Sequence, residues 1–216
     1  MDYAEQRKRM VNDQLKGRGV SDPRVLEAFT RVWRHRFVPF SLRAYSYEDH
    51  PLPIGHGQTI SQPYMVALMT EKLRLGRGDR VLEVGTGSGY QAAILAEICA
   101  RVYTVEREKR LLKSAGTVLT DEGYTNIEFF AGDGTKGLKE QAPFDGIIVT
   151  AAAPHIPEPL KDQLAEGGRL VIPAGSSYTQ TLTAIERKGD DFISEDICGC
   201  VFVPLIGEHG WPDREI

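Results

Sequence analysis

Residues 80–89 read Arg80-Val81-Leu82-Glu83-Val84-Gly85-Thr86-Gly87-Ser88-Gly89, a short strand-like run leading directly into three alternate glycines. Residues 90–98 (YQAAILAEI) follow and are built of strong helix formers. The stretch therefore predicts a strand over Arg80–Val84, a tight glycine turn and a helix over 90–98. The same alternation continues downstream. Strands are expected at Val102–Val105, Ile127–Phe130, Phe144–Thr150 and Arg169–Ile172, and helices at 108–122 and Glu158–Leu164. FDGIIVT at 144–150 is apolar enough for a strand buried on both faces. Strands alternating with helices define an α/β fold with a mostly parallel, doubly wound sheet.

The flanks differ from this core. Upstream, residues 4–16 predict a helix with a thin apolar stripe of Met10, Val11 and Leu15. Ser21-Asp22-Pro23 marks a second helix start, with Val25, Leu26, Phe29 and Val32 at helical spacing. Residues 37–63, with prolines at 39, 51, 53 and 63, read as a long ordered loop of functional character. It ends at Ser61-Gln62-Pro63, a third helix start leading into Met65, Ala67, Leu68 and Leu73. Downstream, Thr179–Glu186 and Phe192–Val203 predict an antiparallel pair added at the sheet edge. We expect one domain over 1–216: N-terminal helices and a substrate loop (1–78), the α/β core (79–175), and C-terminal strands and tail (176–216).

Composition narrows the function. The 26 Lys and Arg against 30 Asp and Glu give a formal charge of −4, which offers no electrostatic reason for a nucleic-acid partner. Cys99, Cys198 and Cys200 form no C-x-x-C pair, and no His, Cys or carboxylate cluster has metal-ligand spacing, so no metal is expected. The segment MDYAEQRKRM lacks a signal-peptide core, and no apolar run is long enough to span a bilayer. A monomeric protein of the reducing cytoplasm, with no membrane partner, is the expectation.

Glu83, Gly85, Gly87 and Gly89 spell E-x-G-x-G-x-G. The dinucleotide fingerprint places its third glycine one position later. The form resembles the first motif of S-adenosylmethionine-dependent methyltransferases, in which the loop, here with Thr86, would receive the aminoacyl end of the cofactor. Read alone, it fits an ordinary tight βα turn equally well. Glu106 ends the second strand 21 residues after Gly85, where a doubly wound nucleotide fold presents a carboxylate to ribose hydroxyls. Asp133, beside Gly134 after the third strand, is placed to accept from an adenine amino group. A solvated strand-end charge and a turn residue are the plain alternatives. Ser61, two residues before a proline at a helix start, reads locally as an N-cap.

At this point a larger resemblance is legible. It is carried by residues 9–29 (RMVNDQLKGRGVSDPRVLEAF), 34–39 (RHRFVP), 47–69 (YEDHPLPIGHGQTISQPYMVALM), 78–97 (GDRVLEVGTGSGYQAAILAE), 102–107 (VYTVER), 132–138 (GDGTKGL), 144–157 (FDGIIVTAAAPHIP), 163–175 (QLAEGGRLVIPAG) and 202–211 (FVPLIGEHGW). The chain resembles the protein-L-isoaspartate O-methyltransferases over nearly its whole length, and GQTISQP and the FVPL tail are far more specific than the glycine loop. The resemblance implies the Rossmann-like methyltransferase fold, with S-adenosylmethionine as cofactor and S-adenosylhomocysteine as product. It also implies esterification of the free α-carboxylate of L-isoaspartyl residues in damaged proteins and peptides, which starts repair through a succinimide. Ser61 matches the family's active-site serine, and Thr59, Ile60, Val203, Pro204 and Leu205 would wall the acceptor pocket. The Asn- or Asp-Pro-Pro-aromatic motif of base-amino methyltransferases is missing after residue 149, where the chain reads Thr150-Ala151-Ala152-Ala153-Pro154. From the residues alone, a small-molecule acceptor and a non-catalytic binding module also remain open.

Overall fold

The computed structural model describes residues 2–213. The chain opens with α1 (Tyr3–Arg9), whose first turn is capped by the Asp2 carboxylate on the Ala4 and Glu5 amides. The helix then widens into a π turn over Met10–Leu15. An i→i+5 winding brings Met10 and Leu15 to one side, and both are fully buried with Val11. Helix α2 (Pro23–Arg31) starts as expected, with Pro23 in the first turn and Asp22 accepting from the Arg24 amide at 2.8 Å.

Residues 37–63 are more regular than the sequence suggested. After short 3-10 turns at Arg34–Phe37 and Phe40–Tyr45, a small antiparallel hairpin forms from β1 (Leu52–Gly55) and β2 (Gln58–Ile60). Its turn is Gly55-His56-Gly57, all three at positive φ, and the two flanking glycines are what make it attainable. Helix α3 (Pro63–Leu73) follows at once.

The core alternates as read: β3 (Arg80–Val84), α4 (Tyr90–Ala96), β4 (Arg101–Glu106), α5 (Lys109–Asp121), β5 (Ile127–Ala131), β6 (Phe144–Val149), α6 (Glu158–Asp162) and β7 (Leu164–Gly175). Two antiparallel strands complete it, β8 (Gln180–Lys188) and β9 (Asp191–Cys200). The sheet order is β5-β4-β3-β6-β7-β8-β9, parallel from β5 through β7. The strand order reverses at β3, which lies between β4 and β6. Ligands of open α/β sheets bind outside the carboxyl ends at such a switch point.

Side chains of β3 alternate between two apolar cores, Val81 in one and Leu82 and Val84 in the other. Ile148 and its neighbours Ile147 and Val149 on β6 divide the same way. Each fully buried aliphatic side chain contributes roughly 1.5–3 kcal/mol, so the sheet is fixed from both faces. Two boundaries differ from expectation in ways that matter for the site. Strand β7 runs well beyond Arg169–Ile172 at both ends. The last strand stops at Cys200 instead of Val203, and the chain turns back so that Val203 O accepts from Ala152 N and Leu205 N donates to Ala152 O, both at 2.8 Å. The FVPL segment therefore lies over the end of β6, away from the sheet edge.

Gly89 sets how closely α4 and α5 pack. It sits at φ +87°, and a Cβ there would lie 2.9 Å from Leu119 Cδ1 and 3.2 Å from Ala115 Cβ. Gly89→Ala should destabilise the fold by ~2–4 kcal/mol, combining left-handed strain with overpacking. The urea midpoint should fall at unchanged slope; an unchanged midpoint would mean that α5 yields without cost.

Candidate active site

A cleft of about 1100 Å3, counting the part open to solvent, lies over the carboxyl ends of β3, β4 and β6. One half is built by the glycine turn, the Glu106–Glu108 end of β4, and Gly134. The other is built by the 58–61 segment and residues 203–206 of the tail. Thr150 and Ala151, just beyond β6, lie between them.

The glycine turn is held by its neighbours. Gly85 N donates to Val105 O at 2.9 Å, and Thr150 Oγ1 lies 2.7 Å from the Gly85 carbonyl. Gly85 is at φ +98°, and any Cβ there would collide with that hydroxyl. Glu106 is 8 % exposed. Its Oε2 accepts from Gly87 N and its Oε1 from Glu108 N, both at 3.0 Å. A carboxylate has about four acceptor positions, so Glu106 pins the turn to β4 and still keeps one lone pair per oxygen for the cleft. That geometry fits a vicinal diol. Gly134 closes the floor, where a Cβ would press into Val84 and Val105.

Of the residues expected to bind the cofactor, Gly85, Thr86, Gly87, Glu106 and Gly134 line this cleft, and Glu83, Gly89 and Asp133 do not. Glu83 is completely buried beneath the turn. It accepts from Thr104 Oγ1, which lies 2.6 Å from Thr86 Oγ1, and its Oε1 has no partner among the described residues. Burial pushes the Glu83 carboxyl up to about 8, and the nearby Glu106 charge adds to the rise. Gly89 is spent on helix packing. Asp133 faces the tail: its Oδ1 accepts from Thr135 N and Oγ1, and its Oδ2 from Glu208 N at 2.8 Å. Burial alone would raise this carboxyl, but the bonds from Glu208 and Thr135 outweigh it and hold it below its ordinary value.

Thr59, Ile60, Ser61, Val203, Pro204 and Leu205 all line the other half. Ser61 is not the helix cap that its local sequence suggested. Helix α3 has Gln62 at its N-cap position with no side-chain cap bond, and the Tyr64 amide is taken by Asp49 Oδ1 at 2.9 Å. The Ser61 hydroxyl makes no hydrogen bond to another described residue. Trp211 donates Nε1–H to Ala152 O at 3.0 Å and so anchors the tail wall.

The lining also includes residues outside the expected site set, among them Thr150, Tyr90 and His56. Thr150 carries no motif; only its place after a central strand hinted at it. Tyr90 follows the glycine motif directly and contributes a buried face, with a hydroxyl that lacks a partner among the described residues. His56 lines the cleft from the hairpin turn, where the flanking glycines were the available signal.

The buried Glu83 gives stability a pH signature. Below its usual value of 4.5 the carboxyl is protonated in both folded and unfolded chains. Between there and about 8 the unfolded chain loses the proton and the folded chain keeps it. Stability therefore falls as pH rises through that window, by up to ~1.4 kcal/mol per unit. Glu83→Gln should remove this slope, so that urea unfolding shows the variant gaining on the parent from about pH 5 to about pH 8. Parallel profiles would mean that Glu83 is ionised inside the fold.

The family model for protein-L-isoaspartate(D-aspartate) O-methyltransferase matches residues 5–210. The chain is 56% identical over 204 residues to protein-L-isoaspartate O-methyltransferase 2 of Pelobacter propionicus, covering 94% of this chain and 91% of that one. It is 53% identical over 216 residues to the protein-L-isoaspartate O-methyltransferase of Geobacter metallireducens, covering 100% of both. A crystal structure of a Plasmodium falciparum protein described as a putative protein-L-isoaspartate O-methyltransferase, in complex with S-adenosyl-L-homocysteine, superposes with a TM-score of 0.82 at 30% identity, covering 95% of this chain and 99% of that one. Full-length matches at this identity leave one conclusion: the chain belongs to the protein-L-isoaspartate O-methyltransferase family.

Proposed function

We propose that the chain binds S-adenosylmethionine between the glycine turn and Glu106, and methylates the free α-carboxylate of an L-isoaspartyl residue held beside Ser61. The enzyme class and the reaction follow from family membership; the residue roles are our reading. The observation that carries it is the meeting of two unspent hydrogen-bonding groups in one cleft. Glu106 retains acceptor positions at the glycine-turn end, and Ser61 retains a free hydroxyl at the tail end.

When bound, the cofactor supplies a methyl group on a sulfonium, an electrophile strong enough that an ionised carboxylate needs no general base. The chain's task is then orientation. Glu106 takes the ribose hydroxyls by charge-assisted bonds. Gly85 and Gly87, both at positive φ, let the turn take the shape that lines the aminoacyl end, and Gly134 lets the floor close on Val84 and Val105 at the adenine end. Asp133 shapes that end by fixing Gly134 and the tail. The Ser61 hydroxyl donates to one carboxylate oxygen and turns the other toward the methyl carbon, with Thr59, Ile60 and Val203–Leu205 enclosing the acceptor. Alignment of this kind supplies a large share of a bimolecular barrier. The resulting ester closes to a succinimide, whose hydrolysis returns part of the damaged sites to aspartate.

The reading extends to a single-domain monomer in the cytoplasm that acts on damaged proteins and peptides, with no metal and no nucleic-acid or membrane partner. Three free cysteines fit a reducing compartment, and the formal charge of −4 offers nucleic acid no attraction. No described helix is long and apolar enough to cross a membrane.

Paired peptides with isoaspartate or aspartate at one site, incubated with methyl-labelled cofactor, test the reaction. Base-labile label should enter the isoaspartyl peptide alone; equal labelling of both, or of neither, would overturn it. Ser61→Ala should lower kcat by ~10–100-fold while S-adenosylhomocysteine affinity is kept. Glu106→Gln should weaken that affinity by roughly tenfold or more. Ser61→Ala weakening cofactor binding as much as Glu106→Gln would remove Ser61 from the acceptor end.

A further inference from the structure

Ser61 precedes a helix whose first turn must find an acceptor for its exposed amides. The local candidates do not supply one: Gln62 makes no cap bond, and the Ser61 hydroxyl bonds to no described amide of the helix. The acceptor comes from 15 residues upstream. Asp49 Oδ1 takes the Tyr64 amide at 2.9 Å, while Oδ2 takes Gln62 Nε2 at 3.3 Å and pairs with the Arg18 guanidinium. That guanidinium also lies 3.5 Å over the Tyr64 ring. A single carboxylate, 19 % exposed, thus holds the two residues that flank Pro63 just after Ser61.

The turn that carries Asp49 is itself fixed. Arg34, fully buried, donates Nε–H to Ser46 O at 2.7 Å, and Gln14 Nε2 donates to Tyr47 O at 2.8 Å. Asp49 does not line the cleft. We propose that Asp49 is a positioning residue for the transfer reaction: by capping α3 from outside, it leaves the Ser61 hydroxyl unspent and fixes its place against the acceptor carboxylate. This inference rests on the role of Ser61 in the proposed function. It adds a residue that touches neither substrate nor cofactor.

The test compares Asp49→Ala, Asp49→Asn, Ser61→Ala and the Asp49→Ala/Ser61→Ala double variant on an isoaspartyl peptide at saturating cofactor, well below each protein's unfolding midpoint. Asp49→Ala should lower kcat by ~10–100-fold, the cost of a displacement of about 1 Å at the reacting atoms. S-adenosylhomocysteine affinity should stay within about twofold of the parent. Asp49→Asn should recover most of kcat, because its amide oxygen still accepts from Tyr64 N. In the Ser61→Ala background, Asp49→Ala should change kcat by less than about twofold, since groups that act as one unit are not additive. Should Asp49→Ala fail to fold, Gln62→Ala carries the same comparison, with a roughly threefold loss of kcat that vanishes without Ser61.

Full kcat in Asp49→Ala with a damaged Ser61→Ala would overturn the role of Asp49 and leave Ser61 standing. Multiplying losses in the double variant would also overturn it, because Asp49 would then act by another route. A silent Ser61→Ala would remove the Ser61 assignment itself, and this inference with it.

Discussion

The register of β3 against its two neighbours is the constraint from which the site follows. Val84 lies opposite Val105 on β4 and Val149 on β6, so the next residue of each strand emerges level: Gly85, Glu106 and Thr150. The three then lock together, with Gly85 N on Val105 O, Thr150 N on Val84 O, and Glu106 on Gly87 N. A slip of one residue would turn every side chain of β3 to the opposite face. Such a slip would carry Glu83 away from Thr104 Oγ1 and exchange Val81 with Leu82 and Val84 between two close-packed cores of different shape. The cleft is therefore a by-product of strand pairing, and its chemistry depends on what the sequence places one residue beyond each strand.

Beneath that cleft the structure tolerates polar groups that packing alone would reject. Glu83, Thr104 and Thr86 make a short hydrogen-bonded ladder inside the sheet, with the Glu83 carboxyl kept protonated near neutral pH by burial. A neutral acid avoids most of the desolvation penalty of a buried charge, and the ladder ties the glycine turn to β4 at a second point below Glu106. Arg34 is the opposite case. Burial lowers its guanidinium to about 10, so it stays charged near neutrality, offset by the Ser46 carbonyl and the Tyr90 ring face 4.9 Å away. Both groups join a segment of the active site to a distant element.

The sequence disclosed the parts of the site that are local and hid the parts that depend on tertiary partners. The glycine turn, Glu106 and Gly134 sit at strand ends, and strand alternation is readable from apolar runs and breakers. GQTISQP was readable only through family resemblance, since its serine looks like a cap until Asp49 is seen to do the capping. Glu83 lies beneath the turn and outside the cleft lining, a placement not legible in a parallel strand buried on both faces, where no alternation shows which way a side chain points. Asp133 bonds the Glu208 amide, a partner 75 residues downstream that no local pattern discloses. The hairpin at 52–60 stayed hidden in a proline-rich stretch, and the run from Phe192 to Val203 looked like one strand because the bend that returns Val203 to Ala152 has no glycine or proline at Val201 or Phe202.

Division of labour between the core and its flanks explains how a common fold acquires a demanding acceptor. In the proposed function the cofactor half needs only strand ends, so the α/β core provides it unaided. The proposed acceptor half is assembled from the 58–61 segment and the 203–206 tail, which reach the cleft from the two sides of the core sequence and are each held by hydrogen bonds from other segments. Asp49 holds the first. Trp211, on Ala152 O, and the 133–135 turn, through Asp133 to Glu208 N and Thr135 Oγ1 to His209 N, hold the second. An acceptor that already carries its nucleophilic oxygen asks the protein for position alone. Position is what remote hydrogen bonds to two short segments can supply, and neither segment has to be rigid by itself.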